Sequence, residues 1–230
     1  MKKGNEPKNL REDKIGNTSI KLLRGDVTRL NGGIIINPTD SSLTKLPGIS
    51  TTIVEGAGHQ LLKELSLKCR EGFEILPGEI VTTTAGNLGA TRLCHICIPQ
   101  YNKNDPEPLV RMFIVNLLNH AEQYQTDSII LPCLTKETNG FTPEQCAFGY
   151  YSTLIDFINT HPQTCLREFK IVCKNKKESK PFEKEADRRL GKKEKKSMFG
   201  FMKKFTKTKS KTEKEILDIE LGGNEERKNN

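Results

Sequence analysis

The sequence predicts an α/β domain in layers, a mixed central sheet of about six strands flanked by helices, with a disordered basic C-terminal tail. Three observations lead there. Six short β-branched or apolar runs are each bounded by turn residues. Helical stretches lie between them, and strands interleaved with helices pack as helix layers on a sheet. After Cys173 the periodic apolar pattern stops and lysine takes over.

In chain order, residues 1–17 are polar, with Pro7 and several charges, and read as a flexible lead-in. A first strand is expected from Ser19 to Leu23 and a second from Gly33 to Asn37. Ser50 to Arg70 suits a helix that breaks near Gly56 and Gly58, where glycine weakens helical backbone. Strands follow from Glu79 to Thr84 and from Arg92 to Ile98. Between Pro108 and Tyr124, Val110, Phe113, Ile114, Leu117, Leu118 and Ala121 recur on one helical face, with Pro106 and Pro108 marking its entry. A strand from Ser128 to Leu131, a helix from Pro143 to Asn159 and a strand from Phe169 to Cys173 complete a domain bounded at 18–174. Residues 175–230 are assigned to the tail, which buries too little apolar surface to offset the entropy of ordering it.

A chain of 230 residues holds one medium domain with its own core, and a hydrophobic share of 34% is low for a wholly folded one. The net charge of +8 is uneven: residues 170–211 carry +12 and the rest −4. A mildly acidic body argues against a nucleic-acid-binding fold, while the basic extension suits an anionic surface. No apolar stretch approaches bilayer-spanning length, and the Lys-rich start lacks the apolar segment of a secretory signal, so a cytosolic or nuclear location is expected. Seven cysteines scattered through apolar segments predict reduced thiols.

Two apolar islands interrupt the tail. Met198, Phe199, Phe201, Met202 and Phe205 sit among lysines, and Ile216, Leu217, Ile219 and Leu221 follow acidic residues. The stretch 192–211 resembles basic-aromatic segments that dock on anionic membrane or on a calmodulin-like partner; a solvated tail or a nuclear localisation signal is the alternative.

Short segments recur in a fixed order: Gly25-Asp26-Val27-Thr28, then Asn37-Pro38-Thr39-Asp40 after an isoleucine run, then Leu46-Pro47-Gly48-Ile49-Ser50, and last Ser128 to Phe141. At this spacing they resemble a macro domain, an ADP-ribose-binding module. The resemblance covers about Ser19 to Cys173 and implies a three-layer fold with a cleft for ADP-ribose or an ADP-ribosylated protein.

It also implies roles. Asp26, with Val27 beside it, matches the aspartate that accepts from the adenine amino group, chemistry that suits an acceptor-only carboxylate; capping a turn is its local alternative. Asn37 and Asp40 match the two ends of an Asn-Ala-Ala-Asn segment whose last residue contacts the distal ribose and supports hydrolysis in some members. Asp40 can accept but not donate, and an Asx turn into Ser41 and Ser42 is its alternative. Gly48 and Ile49 match the turn whose backbone N–H groups cradle a pyrophosphate at a helix N-terminus. Ser50 stands where hydrolases of the family carry an acid, and it is equally a helix N-cap residue. It offers no titratable group, so efficient hydrolysis is not expected.

Lys136, Thr138, Asn139, Gly140 and Phe141 fall on the loop that wraps the phosphates. Glu137 replaces a glycine there, with Lys136 as an offsetting charge, and Phe141 either stacks near the distal ribose or joins the core. Cys94 and Cys97 flank His95, but residues three apart on a strand face opposite ways and no second pair completes a zinc set. The expectation is an ADP-ribose binding module of weakened affinity, with no cofactor and no metal. Two alternatives stand beside it: a nucleotide-inactive macro scaffold whose tail carries the function, and an ADP-ribosyl hydrolase using Asp40.

Overall fold

A computed structural model describes residues 6–43, 48–70, 72–98, 107–134 and 140–192. The six expected strands are present as β2 (Thr18–Arg24), β3 (Gly32–Thr39), β4 (Ile80–Thr83), β5 (Ala90–Cys97), β6 (Ser128–Pro132) and β7 (Glu168–Cys173). A seventh, β1 (Lys8–Ile15), precedes them. The helices are α1 (Ile49–Ala57), α2 (His59–Lys68), α3 (Glu107–Gln123), α4 (Pro143–Thr160) and α5 (Lys176–Leu190), with Gly58 at φ +81° making the break between α1 and α2.

The strands form one sheet in the order β1-β2-β7-β6-β3-β5-β4. The five inner strands are parallel, and β1 and β4 close the two edges antiparallel to their neighbours. Parallel strands are buried on both faces, which is why β3 reads as an unbroken isoleucine run. Successive residues alternate sides: Ile34 and Ile36 join a core with α3, α4 and α5, while Ile35 joins a second core with α1 and α2. The result is the three-layer architecture the sequence implied.

Two boundaries need correction. The segment read as a flexible lead-in contains β1, paired with β2 from Lys8↔Arg24 to Ile15↔Thr18. The segment given to the tail begins with α5, whose Ser179, Phe182 and Ala186 are buried, Phe182 with its ring 5.6 Å from Tyr150 and 6.4 Å from Tyr151. The two additions hold each other. Buried Arg11 on β1 donates to Asp13 at 2.5 and 3.1 Å, to Asp187 on α5 at 2.5 Å and to the Gly191 carbonyl at 2.8 Å. Burial works against its charge, and the two carboxylates outweigh that and raise its pKa. The basic-aromatic and second apolar islands of the tail, and the expected contacts at Lys136, Thr138 and Asn139, lie outside the described residues. Among the described residues no helix is long and apolar enough to cross a membrane.

Candidate functional site

Four parallel strands, β2, β7, β6 and β3, deliver their carboxyl ends to the same side of the sheet, where ligands of open α/β sheets bind. A cavity of about 700 Å³ opens there. Its lining combines the end of β2 (Gly25, Asp26, Val27), the start of α1 (Gly48, Ile49, Thr52), the ends of β6 and β7 (Pro132, Cys133, Val172) and the start of α5 (Lys174, Asn175, Glu178).

Asp26 caps a short 3-10 turn over Val27–Arg29. Its Oδ1 accepts from the Thr28 backbone N–H at 2.9 Å and from the Thr28 hydroxyl at 2.7 Å. Its Oδ2 has Arg29 Nε at 3.7 Å and keeps acceptor capacity. The turn-capping role and the ligand-facing position therefore coexist in one side chain. Gly25, before it, has φ +154°, and a Cβ there would lie 2.8 Å from the Cα of Pro7, so the approach to β1 requires glycine. Gly48 is the N-cap of α1 at φ +59°, a conformation that again favours glycine and leaves the first-turn N–H groups toward the cleft without a side-chain cap.

The other expected residues that the structure describes do not line this cavity. Ser50 is not the cap; it sits within the first turn of α1, fully buried. Asn37 is fully buried on β3. Asp40 accepts from the Ser42 hydroxyl at 3.0 and 3.1 Å and is not among the cavity-lining residues. Gly140 has φ +81°, and Phe141 is wholly buried in the core, edge-on to Phe113 with centroids 6.5 Å apart. Of the residues expected at the site, Asp26, Val27, Gly48 and Ile49 line this one cavity, and the wall made by α5 was not anticipated. Asn175 followed three positions later by Glu178 was the available signal. Asn175 Oδ1 accepts from the N–H groups of Lys177 and Glu178, while Glu178 accepts from the Lys174 N–H at 2.7 Å and the Asn175 amide at 2.9 Å.

A buried polar chain crosses from β3 through β5 to the edge strand β4. Asn37 Nδ2 lies 2.9 Å from His95 Nδ1, and His95 Nε2 lies 2.9 Å from Thr83 Oγ1. Burial pulls the His95 pKa down to about 4, so the ring is neutral near pH 7. Among the described residues four buried side-chain oxygens find no hydrogen-bond partner, and three of them, on Asn37, Thr39 and Ser50, belong to this region. Each such group costs roughly 1–3 kcal/mol when left unmet.

The cleft offers little nucleophilic chemistry. Contact with the Cys146 thiol and burial hold the Cys133 thiol far above its ordinary pKa, so it is not a thiolate. Cys94 and Cys97 belong to the two different cores; Cys94, pushed up to about 11 by burial, faces His120 Nε2 at 3.5 Å. Among the described residues no group of three or more ligating side chains is arranged to hold a metal ion.

Fold and cleft define a three-layer α/β ligand-binding domain with its site at the carboxyl ends of a parallel sheet core. Comparison names the class. A family model described as Macro domain matches residues 36–148. An O-acetyl-ADP-ribose deacetylase of Escherichia fergusonii is 31% identical over 144 residues, 62% of this chain and 81% of that protein. An uncharacterized protein of Thermotoga maritima is 30% identical over 167 residues, 71% of this chain, though the chain spans only 28% of that relative's length. Among solved structures, an Oceanobacillus iheyensis macrodomain with ADP superposes with a TM-score of 0.73 at 20% identity, covering 81% of this chain and 98% of that one. The chain belongs to the macro domain family.

Proposed function

We propose that this protein binds ADP-ribose, free or carried on a protein, in the cavity between β2, α1 and α5, and that it binds without efficient hydrolysis. The observation that carries the reading is Asp26 on the wall of a cavity of about 700 Å³, a size suited to a nucleotide-scale ligand. One carboxylate oxygen is held by Thr28, so the group is oriented, while the other can accept from an exocyclic amine. Gly48 and Ile49 bring a helix N-terminus to the same cavity, an arrangement that favours phosphate. The ADP in the Oceanobacillus iheyensis macrodomain and the name of the Escherichia fergusonii relative support a ligand of this class.

Binding is favoured over cleavage because Ser50 supplies no titratable group and Asp40, which accepts from Ser42, is not among the residues that line the cavity. Calorimetric titration of the full chain with ADP-ribose tests this. Micromolar binding that Asp26→Ala weakens at least tenfold is the expected result; no heat from a demonstrably folded chain would reject it. Release of acetate from O-acetyl-ADP-ribose that Asp40→Ala abolishes would favour the hydrolase instead.

A further inference from the structure

The carbonyl oxygen of Thr84 fixes a direction of hydrogen bonding that runs into the core. A carbonyl can only accept, so the Thr83 hydroxyl donates to it, at 3.1 Å. Thr83 Oγ1 then accepts from the His95 ring, which places the proton of the neutral imidazole on Nε2. His95 Nδ1 is left with a lone pair, and the group of Asn37 that meets it at 2.9 Å must be the N–H₂ donor. The Asn37 carbonyl oxygen is therefore turned away from His95 as an unpaired acceptor.

The topology says what that oxygen faces. Ile35, Asn37 and Thr39 alternate onto the face of β3 covered by α1, and Ser50, Ile53, Val54 and Ala57 form the buried stripe of that helix. Asn37 and Thr39 lie at the carboxyl end of β3 and Ser50 in the first turn of α1, so the chain brings three buried oxygens without a partner to the two elements that form this junction. Two hydroxyls that donate or accept and one amide oxygen that accepts match the hydrogen-bonding needs of a water molecule. They carry no charge to bind an ion, and they are too deeply buried for a large ligand.

We propose that the β3–α1 junction is an internal polar site for a single water molecule, lined by Asn37, Thr39 and Ser50, with His95 and Thr83 as the positioning residues that set the polarity of the Asn37 amide. Gly48 and Ile49 immediately precede Ser50 and line the cleft, so the water ties the ligand-facing start of α1 to the sheet. The site goes beyond the ADP-ribose reading and stands whether or not that nucleotide binds.

Nitrogen NMR of the full chain with labelled histidine reads the polarity directly. The wild type is expected to show His95 protonated at Nε2 and bare at Nδ1, and Thr83→Val to shift the ring toward the other tautomer. A wild-type ring protonated at Nδ1 would overturn the assignment, and that result does not depend on the variant folding. Thermal unfolding of Ser50→Ala and Thr39→Val reads the occupant. Loss of a water contact lowers each midpoint by about 2–4 °C. Midpoints that both rise, because an unmet hydroxyl has been removed, would mean the junction is dry and the proposal wrong.

Discussion

Arg11 and Asn37 are both buried polar residues on strands of one sheet, yet the chain satisfies them differently. Around Arg11 the partners are internal: Asp13 on its own strand, Asp187 on α5 and the carbonyl after that helix. Around Asn37 only the amide nitrogen is met, and three oxygens at the β3–α1 junction are left open. The edge cluster joins two elements and needs nothing from outside. The cluster around Asn37 is incomplete as the chain builds it, and it adjoins the surface where a ligand would sit.

The sharpest way to break this contrast is Arg11→Ala, which removes the guanidinium that ties buried Asp13 to Asp187 and the Gly191 carbonyl. A loss of about 3–5 kcal/mol in denaturant-monitored stability is expected, whereas replacing Arg11 and Asp13 together by Met and Leu should cost far less. Equal losses would show that packing, not charge pairing, secures the edge.

The Asn37 cluster should reveal itself through pH. His95 has a folded-state pKa of about 4 against 6.5 when exposed, so the unfolded chain takes up a proton that the folded one refuses. Stability is fully present above the unfolded value and falls as pH drops from about 6.5 to 4, by roughly 3 kcal/mol. His120, held down by burial and by Arg92, acts in the same direction. A His95→Gln variant that kept the whole slope would remove His95 as its source.

Within the cleft itself, Asp26→Ala should weaken ADP-ribose binding at least tenfold, as loss of a charged hydrogen bond of about 1.5–3 kcal/mol implies. The same change removes a cap and should cost only about 1 kcal/mol of stability. Comparable losses of binding and folding would reduce Asp26 to a structural role. The smallest effect, about 1 kcal/mol or less, belongs to Ser50→Ala and Thr39→Val, where the sign of the change in stability carries the information.

The same contrast explains what could be read from sequence. Ile34 to Ile36 announced an inner strand because both faces are apolar, and the buried face of α3 followed from its spacing. β1 was hidden because charged Arg11 and Asp13 occupy its inward positions, so it showed no apolar alternation. α5 was hidden because its buried stripe is only Ser179, Phe182 and Ala186 amid lysines, with Pro181 in its interior. For the cleft, motif order found Asp26 and Gly48, but Val172, Asn175 and Glu178 join them only through tertiary folding. Asn37 and Ser50 were found by type and misjudged in depth, since a pattern of alternation gives the face of a strand and not the distance to solvent.

The Arg11 latch has a consequence for how the polypeptide is wired. It bonds β1 to the carbonyl that follows α5, so the first and last elements among the described residues are neighbours. Joining residue 191 to residue 8 through a short linker, and opening the backbone at an exposed turn such as Gly16-Asn17 between β1 and β2, should give a circular permutant with the same cleft. In such a molecule β1 would follow α5, and the order in which the chain is threaded would cease to matter for the architecture.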